Sequence, residues 1–425
     1  MSGNADTNSK MPSPWPRYIS AELGLRNYWY ASFFTDELGE GAVRAEQICG
    51  ERILFKRIDG RIYGIEDRCA HRGVAFSDRP TCHSKNTVTC WVHGFTYDVR
   101  DGKLVQIITD PDSTLIGKVS IRNYTVEEVG NVAFAWIGDQ EPFPILDELP
   151  RSFLPHLNGG YPTPPRPASR IKMLGNWRMA LENVVDLTHF YGHRTQEHVT
   201  AGHFPAPLSQ LPPAIPTTIE IDQPGLPQSL TVMSKGMKWL FEVPVEDQMV
   251  TSPASQEHFQ KRWGTASSTF SKQFENVEGD ALVTAYLPAA LEVGGPDGTS
   301  GLVEFYTPID EDHHMLIVVH TSSLELPERI VSNDIEKYGD VDAEGFLNFD
   351  AFYRAKMHHA YKNEDWFRRS RAYQGDSTVM ALRRFVDKHA RGIQLRDGNW
   401  ARQEDHREME PIYPAPAPEA AGPSA

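Results

Sequence analysis

The sequence has few cysteines and no long apolar run. Only 4 of its 425 residues are cysteine, which argues against a disulfide framework and favours a reducing compartment. No stretch approaches the roughly 20 apolar residues that a membrane-spanning helix requires. Met1–Lys10 is polar and lacks the apolar core of a secretion signal. These absences predict a cytoplasmic protein without a membrane anchor.

Positive charge is also scarce. The chain holds 42 Lys and Arg against 57 Asp and Glu, which gives a formal net charge of −15. Contact with a phosphate backbone requires a basic surface, so the composition argues against a general nucleic-acid-binding function. The length is sufficient for two domains, each with its own buried core.

Strand-like and helix-like patterns occupy different parts of the chain. Between about residues 27 and 136, short apolar segments flank hairpin dipeptides such as Asp59-Gly60, which predicts antiparallel strands. A proline-rich stretch over residues 141–167 indicates a boundary, and mixed helical and strand patterns follow it. The sequence predicts an α+β protein with an N-terminal segment at 1–26, a first domain of β type at 27–150, an α+β domain at 151–400 and a disordered tail at 401–425. The first eighteen residues are expected to be loosely held.

Two short motifs in the predicted β domain combine cysteine with histidine. Cys69 and His71 form a C-x-H motif, and Cys90 and His93 form a C-x-x-H motif after residues 72–89. Four such ligands can hold a two-iron, two-sulfide cluster with both thiolates on one iron and both imidazoles on the other. Replacing two thiolates by neutral imidazoles raises the reduction potential. The motifs predict an electron carrier on hairpin-end loops, and such a carrier usually serves another centre.

A structural Cys2His2 zinc site is the alternative for these four residues. Zinc motifs usually begin with two ligands separated by two to four residues, whereas a single residue separates Cys69 from His71. The spacing therefore favours the iron–sulfur cluster. Cys49 and Cys82 have no partner at ligand spacing and are interpreted as ordinary reduced thiols.

A second candidate metal site lies in the predicted α+β domain. Asn183, Asp186, His189 and His193 are spaced three, three and four residues apart, so they share one face of a helix. Gly192 is expected to loosen that helix near the second histidine. Two histidines and one carboxylate form the facial triad of non-haem Fe(II) oxygenases, which leaves coordination positions open. The alternative is a helix that carries two histidines without a metal.

The third iron ligand must then come from another element. The acidic candidates in the late helical region are Asp350, Asp365 and Asp376, and spacing alone does not rank them. His313 and His314 follow two acidic residues and are interpreted as part of a solvated turn.

At these motifs the chain resembles the terminal oxygenase (α) component of the Rieske non-haem iron ring-hydroxylating oxygenases. It resembles in particular the subgroup of carbazole 1,9a-dioxygenase and 2-oxoquinoline 8-monooxygenase. The stretches that carry the resemblance are Leu25–Tyr30, Cys69–Val74, Cys90–Phe95, Gly175–Arg178 and Glu182–His193.

The resemblance implies the fold and the cofactors. An N-terminal all-β Rieske [2Fe-2S] domain should precede a catalytic α+β domain with an antiparallel sheet and helices in a helix-grip-like arrangement. The cofactors would be the Rieske cluster and a mononuclear Fe(II), with O2 as co-substrate. The implied partners are a ferredoxin or an NAD(P)H-dependent reductase, two further copies of the chain in a homotrimer, and a small hydrophobic aromatic or heteroaromatic substrate.

The resemblance also implies residue roles. The stretch Glu344–Asp350 looks like the one that carries the third iron ligand, which selects Asp350, with Asp365 as the alternative. Asp186 and Asn183 are assigned to the catalytic machinery. Asp186 is expected to connect His93 of one chain to His189 of the next chain in the homotrimer.

The substrate and the exact reaction are not fixed by these residues. Val184, Phe190 and Phe346 flank the ligands in sequence and are candidates for the substrate pocket, with plain core packing as the alternative. Monooxygenation or demethylation at a non-aromatic or substituent carbon would use the same ligands. The rivals from other classes are a Rieske electron-transfer protein with a ligand-binding domain and a zinc-stabilised lipid- or steroid-binding module.

Overall fold

A computed structural model of the protein describes residues 14–150, 153, 166–186, 188–189, 218–221, 228–238, 278–294, 300–320, 346–363, 366–369 and 371–395. Within these residues, no helix is long and apolar enough to cross a membrane. Short 3-10 helices occur at Thr35–Glu37, Ile145–Asp147 and Gln374–Asp376.

The N-terminal part consists of one short helix and ten strands. They are α1 (Pro16–Ser20), β1 (Tyr28–Phe34), β2 (Val43–Ile48), β3 (Glu51–Ile58), β4 (Arg61–Glu66), β5 (Thr87–Thr89), β6 (Phe95–Asp98), β7 (Leu104–Ile107), β8 (Asn123–Tyr124), β9 (Val126–Val129) and β10 (Val132–Ile137). The strands form three sheets in the described residues, ordered β1-β10-β9, β2-β3-β4-β8 and β5-β6-β7. The pairs in all three sheets are antiparallel.

The C-terminal part mixes strands and helices. Its elements are β11 (Arg166–Leu174), α2 (Trp177–Val185), β12 (Thr218–Ile221), β13 (Ser229–Lys238), β14 (Glu278–Tyr286), β15 (Ala290–Gly294), β16 (Ser300–Pro308), β17 (His313–His320), α3 (Phe346–Asn363), α4 (Trp366–Arg369) and α5 (Ser377–His389). Its strands form one antiparallel sheet, ordered β11-β17-β16-β15-β14-β13-β12 across the described residues. The predicted α+β class, with an all-β N-terminal domain, is confirmed.

The hairpin dipeptide Asp59-Gly60 joins β3 to β4 as predicted. Both residues have positive φ, +51° and +78°, and Ile58 pairs with Arg61 across the turn. A two-residue turn in which both residues have positive φ has a backbone twist that matches the twist of antiparallel strands. The turn places the end of β4, at Glu66, at the start of the loop that carries Cys69.

Apolar packing joins the two parts. One buried cluster includes Phe134 of β10 together with Phe305 and Ile317 of the C-terminal sheet. The rings of Phe134 and Phe305 meet edge to face with centroids 5.5 Å apart. A separate cluster lies in the N-terminal part and contains Cys69 and Cys90. The cysteine loops are therefore built on their own core.

The N-terminal segment is more ordered from residue 16 than the sequence predicted. Pro16 starts α1 at the first helical position, where a missing N–H is tolerated. The Arg17 backbone N–H donates to Asp387 Oδ1 of α5 at 2.8 Å, and Tyr18 is fully buried. The expectation of a loosely held segment was wrong for Pro16, Arg17 and Tyr18, because an aromatic side chain there contributes to the core.

The helix that carries the second motif is shorter than predicted. The pattern indicated a helix from Asn176 to His193, whereas α2 ends at Val185. Asp186 leaves the helical region with φ −82° and ψ 87°, and its carboxylate accepts the backbone N–H of Thr188 at 2.9 Å. Such a local side-chain bond competes with the helical ladder, so the chain turns at Asp186 instead of continuing.

Candidate metal centres

The two cysteine loops share one hydrogen-bonding pattern. In the first loop, the Cys69 N–H donates to Val74 O, and the Gly73 N–H returns to Cys69 O, both at 2.9 Å. In the second loop, the Cys90 N–H donates to Phe95 O at 2.7 Å, and the Gly94 N–H returns to Cys90 O at 3.0 Å. Each cysteine therefore sits at the base of a closed five-residue turn, and the two turns face each other across the cluster site.

The turns depend on glycine at their fifth position. Gly73 and Gly94 both have φ of +72°, a conformation that other residues rarely adopt. A Cβ on Gly94 would lie 2.7 Å from the Cβ of Ile108. Each motif therefore extends beyond its cysteine and histidine and includes the glycine that closes the turn.

The cysteines and the histidines occupy opposite sides of the site. Cys69 and Cys90 are buried, whereas His71 is exposed and His93 is half-buried. The two imidazole rings lie 4.6 Å apart between centroids, and the His71 ring stacks on Phe95 at 4.9 Å. Two inner sulfur ligands and two outer nitrogen ligands match the division that a Rieske cluster requires.

Tyr97 supplies a hydrogen bond on the sulfur side. Its hydroxyl oxygen accepts the Ala70 N–H at 3.2 Å and lies 3.6 Å from the Cys69 sulfur. Because the oxygen already accepts from Ala70, its own proton is free to be donated to sulfur. Burial, followed by the neighbouring Cys69, raises the pKa of Tyr97, so the phenol stays protonated as a donor. Hydrogen bonds to the sulfurs are one factor that sets the potential of an iron–sulfur cluster.

Among the described residues, no three His, Cys, Asp or Glu side chains are grouped closely enough to hold one ion. All four cysteines are free thiols, with Cys49 buried and Cys82 exposed, as expected for a protein without disulfides.

The rim of the cluster site is apolar and exposed. Trp91 and Val92 of the second loop are each 42 % exposed, and Ile108 beside them is 41 % exposed. The Trp91 indole N–H donates to Ala75 O at 3.1 Å, which holds the ring across both loops. Exposed large apolar side chains around a functional group are typical of a protein-docking surface.

Helix α2 is fixed at its start by contacts with the N-terminal segment. Asn176 caps the helix through its side-chain oxygen, which accepts the Arg178 N–H at 3.2 Å. The Asn176 amide donates to the backbone carbonyls of Glu22 and Glu311, and the Trp177 indole donates to Ala21 O.

The middle of α2 is fixed by Glu182. Its carboxylate accepts two bonds from the Arg383 guanidinium, at 2.7 and 2.9 Å, and one from the Tyr18 hydroxyl at 2.6 Å. A two-point arginine–carboxylate pair adds orientation as well as energy. The positions of the next residues, Asn183 and Asp186, follow from this anchoring.

Asn183, His189 and Asp350 meet at a buried point between α2 and α3. The Asn183 amide donates to Asp350 Oδ1 at 2.7 Å, and His189 Nε2 lies 3.4 Å from the same oxygen. Metal–ligand bonds of about 2.1 Å allow two donor atoms at this separation to occupy adjacent positions on one ion. Asn183 Oδ1 is buried and has no hydrogen-bond partner among the described residues, so a further polar or cationic group beside it would be favourable.

Backbone contacts fix the orientation of the His189 ring. Its Nδ1 bonds to the carbonyl oxygen of Asp186, which can only accept, so Nδ1 carries a proton. In the neutral ring this leaves the lone pair on Nε2, the nitrogen that faces Asp350. Ligating histidines usually donate their second N–H in this way.

Burial and nearby charges shift the pKa values of several side chains around this point. Burial lowers the pKa of His189, but the hydrogen bond and charge of Asp350 outweigh it, so the pKa of His189 is raised overall. Burial raises the pKa of Asp186 against the opposing bonds from Thr188. Burial, followed by the charge of Asp350, also raises the pKa of Glu304 to about 7.

Several predicted residues lie beyond the described part of the chain. His193, Phe190 and Asp365 are outside it, as is the side chain of Phe346, the first residue of α3. Their predicted roles as iron ligand, pocket residues and alternative ligand remain predictions. Val184 is described, and it packs against the main core, in line with plain core packing.

The third acidic candidate has another contact. The Asp376 carboxylate accepts the Tyr373 N–H at 2.9 Å at the start of α5. Of the described acidic candidates, Asp350 is the one whose carboxylate lies next to His189.

Sequence reasoning missed a buried polar group beside Asp350. Glu304 and Tyr306 lie on one face of β16 and are hydrogen-bonded, and the Arg354 guanidinium lies 5.7 Å from the Tyr306 ring. His314 was predicted in a solvated turn, but it is fully buried in β17 with Nδ1 2.7 Å from Gly175 O. That interpretation was wrong because the acidic turn ends before His314, where the strand re-enters the core.

Comparisons with known proteins agree with this geometry. The Rieske [2Fe-2S] domain family matches residues 28–124, and the homotrimeric ring hydroxylase family matches residues 136–394. The terminal oxygenase component of carbazole 1,9a-dioxygenase from Sphingomonas sp is 31 % identical over 387 residues, which cover 89 % of this chain and 96 % of that protein.

Solved structures are similar over the same length. The terminal oxygenase of carbazole 1,9a-dioxygenase from Nocardioides aromaticivorans IC177 has a TM-score of 0.67 and 28 % identity, covering 89 % of this chain and 98 % of that chain. The oxygenase in a reduced complex with ferredoxin from carbazole 1,9a-dioxygenase has a TM-score of 0.68 and 25 % identity, covering 91 % and 94 %.

The comparisons do not favour the rival readings. The Rieske match argues against a zinc-stabilised module, and the ring hydroxylase match over the second domain argues against a simple electron carrier. The two cysteine loops lie in the region matched by the Rieske family, and the His189–Asp350 contact lies in the region matched by the ring hydroxylase family. The chain belongs to the homotrimeric ring hydroxylases, a family of Rieske-type oxygenases that use non-haem iron and O2.

Proposed function

We propose that this enzyme inserts oxygen from O2 into a flat, hydrophobic aromatic or heteroaromatic substrate, as the terminal oxygenase of a multicomponent system. The substrate class follows from the relatives, whose names specify carbazole. The proposed electron donor is a ferredoxin, the partner named for a similar solved oxygenase, with an NAD(P)H-dependent reductase upstream. The exposed apolar rim at Trp91 and Val92 is its proposed contact. We place the enzyme in the cytoplasm, where its thiols stay reduced.

The observation that carries the proposal is the contact of His189 with Asp350 in the same chain as the Rieske loops. A cluster alone would make the protein an electron carrier. A histidine and a carboxylate that are far apart in sequence, buried together and bonded to Asn183, provide a separate place for a metal.

The residues suggest which side chains would hold each group. Cys69, Cys90, His71 and His93 would ligate the two-iron cluster, and His189, His193 and Asp350 would ligate the mononuclear iron. When bound, the cluster would store one electron at a potential raised by its imidazole ligands, and the mononuclear iron would supply open coordination positions for O2 activation.

The protein's own contribution at the second site is to hold its ligands in place. The Asp186 carbonyl fixes the His189 tautomer, and the Asn183 amide holds one oxygen of Asp350. Both act before any metal binds, so the donor atoms are preorganised. The side chains of Asn183, His189 and Asp350 are buried, which excludes bulk water and strengthens the electrostatic interactions among them.

The carboxylate of Asp186 is proposed to bridge two protomers. Its backbone carbonyl contacts His189, while its side chain lies at the end of α2, partly accessible. In a homotrimer this carboxylate would accept a hydrogen bond from His93 of the neighbouring chain. Such a bridge would connect a cluster ligand of one protomer to an iron ligand of the next.

Metal analysis combined with turnover tests the proposal. The purified homotrimer should contain about three iron atoms per chain, two in the cluster and one in the second site. Asp350→Ala should reduce the content to about two, keep the cluster spectrum unchanged and abolish oxygenation of carbazole-like heteroaromatics with a surrogate ferredoxin and reductase. The exposed Asp36 gives a matched control, Asp36→Ala, which should retain iron and activity.

Two results would contradict the proposal. Wild-type protein with two iron atoms and no oxygenated product from any aromatic in a mass-shift screen would indicate an electron carrier. Full activity in Asp350→Ala would remove Asp350 from the ligand set and return the choice to Asp365.

A further inference from the structure

One oxygen of the Asp186 carboxylate accepts two hydrogen bonds from Thr188. Asp186 Oδ1 accepts the Thr188 backbone N–H at 2.9 Å and also the Thr188 hydroxyl. These bonds form a tight side-chain turn directly after α2, and they fix the carboxylate relative to the backbone. Thr188 was not singled out by any sequence motif.

The hydroxyl of Tyr373 adds a hydrogen bond to Thr188 from another part of the chain. Thr188 Oγ1 lies 2.6 Å from the Tyr373 hydroxyl, just before α5. The Thr188 hydroxyl has one proton, and the carboxylate can only accept, so that proton goes to Asp186. The Tyr373 hydroxyl must therefore donate to Thr188. The resulting chain of donors runs from Tyr373 through Thr188 to Asp186, and each bond polarises the next.

The ring of Tyr373 is itself held in position. Its N–H donates to Asp376 Oδ2, and the Asp376 N–H returns to Tyr373 O at 3.1 Å. The ring lies across Gly375, where an added Cβ would be 2.4 Å from the Tyr373 hydroxyl. Although the residue is 61 % exposed, its hydroxyl is thus fixed by a turn and by the absence of a side chain at Gly375.

The other oxygen of Asp186 has no such partner. Within the residues that the structure describes, Asp186 Oδ2 makes no hydrogen bond. It is also not among the fully buried unpartnered atoms of that part of the chain, so it retains access to the surroundings. Two hydrogen bonds to Oδ1 therefore fix the orientation of the carboxylate and so the direction in which Oδ2 points.

We propose that Thr188 and Tyr373 are positioning residues that clamp Asp186 so that its free Oδ2 faces the neighbouring protomer's cluster histidine. The inference rests on the proposed bridge between His93 and Asp186. It adds that the bridge geometry is set by a hydroxyl pair from two separate elements of the catalytic domain. Among the described residues, the two hydroxyls bond to the Asp186 carboxylate and to each other.

The pH dependence of the cluster potential tests the clamp without measuring turnover. The potential of a Rieske cluster falls above the pH at which a ligating histidine loses its second proton, and a carboxylate that accepts this N–H moves the break to higher pH. In the holo-homotrimer, Asp186→Asn should move the break down by about one pH unit. Thr188→Val and Tyr373→Phe should move it in the same direction by a smaller amount.

Conservative and distant variants serve as controls. Thr188→Ser keeps the hydroxyl and should restore the wild-type break. Ser20→Ala removes an exposed hydroxyl of α1, which donates to Pro16 O of the same helix, and should leave the break unchanged. Iron content and trimer mass, measured for each variant, identify any variant that fails to assemble. Tyr373→Phe changes an exposed residue and is therefore the variant expected to disturb folding least.

The outcomes separate the clamp from the bridge. If Asp186→Asn shifts the break but Thr188→Val and Tyr373→Phe leave it unchanged or move it upward, the clamp is wrong and the bridge stands. If Asp186→Asn itself has no effect, the bridge fails and the clamp fails with it.

Discussion

Replacing Gly94 by alanine should damage the cluster site through one identifiable contact. Gly94 has φ of +72°, and an added Cβ would lie 2.7 Å from Ile108 Cβ and 3.2 Å from Ile108 N. Gly117 has nearly the same conformation, with φ of +76°, but an added Cβ would meet nothing within 4 Å. The pair of variants therefore separates backbone strain from steric overlap.

The expected magnitudes follow from these two terms. A left-handed backbone with a side chain is unfavourable by about 1–2 kcal/mol, and this term applies to both variants. Overpacking against Ile108 adds about 1–3 kcal/mol in Gly94→Ala only. The displacement also reaches the predicted cluster ligand His93, because Ile108 N donates to Gly94 O at 3.0 Å and Thr109 Oγ1 donates to His93 O at 2.9 Å.

The assay compares thermal unfolding with iron and sulfide content in the two variants. Gly94→Ala should unfold at lower temperature than Gly117→Ala and should be purified with a substoichiometric cluster, whereas Gly117→Ala should retain a full cluster. Adding Ile108→Ala should not rescue Gly94→Ala, since alanine keeps the Cβ that causes the overlap. Equal stability and equal cluster content in the two glycine variants would refute the steric argument.

Two further substitutions probe the second site. Asn183→Leu removes the donor to Asp350, so iron affinity at that site should fall by roughly 10- to 100-fold, as measured by iron retention against a chelator with the cluster absorbance unchanged. Burial raises the pKa of Glu304 from 4.5 to about 7, so the folded state keeps a proton that the unfolded state has already lost between these values. In iron-free protein the free energy of unfolding should therefore decrease as the pH rises through this window, and Glu304→Gln should flatten the decrease in denaturant titrations at about pH 5 and about pH 8.

The cluster loops could be predicted from sequence because their geometry is local. Each loop closes by backbone bonds between a cysteine and residues four and five positions later, so the predicted ligand, the turn and the glycine are adjacent in the chain. The same holds for the Asp59-Gly60 hairpin, where the turn residues and the paired strands are neighbours. Short-range patterns carry this information directly.

The second site could be predicted only in part, because its geometry comes from tertiary contacts. Asn183 lies in a helix as its spacing predicted, but Asp186 does not, because α2 ends at Val185 through a side-chain bond that periodicity does not reveal. Spacing could not rank Asp350 among the acidic residues, and the resemblance selected it. Glu304 and Tyr373 carried no motif, since one is an acid in a strand and the other an exposed aromatic.

The anchoring of α2 shows how the two domains are kept in register. A helix of 9 residues is too short to be stable alone, so its position must be imposed by packing. The contacts that impose it come from the segment before the Rieske domain, through Tyr18 and Ala21, and from α5 near the end of the described chain, through Arg383.

The path of the chain continues this connection into the Rieske domain. Leu25 pairs with Ile393 in an isolated bridge, and Arg26 then reaches Glu51 of β3 at 2.9 Å and the side chain of Gln394. Glu51 is buried, is also bonded by Arg122 and accepts the Gln394 side-chain amide at 3.2 Å, so this ion-pair group of the N-terminal part is hydrogen-bonded to the C-terminal part. Because a buried charged group that loses a hydrogen-bond partner is destabilised, the bonds of Gln394 to Arg26 and Glu51 resist relative movement of the two parts. A fixed orientation within each protomer is what a contact between a cluster histidine and the next protomer's Asp186 would require.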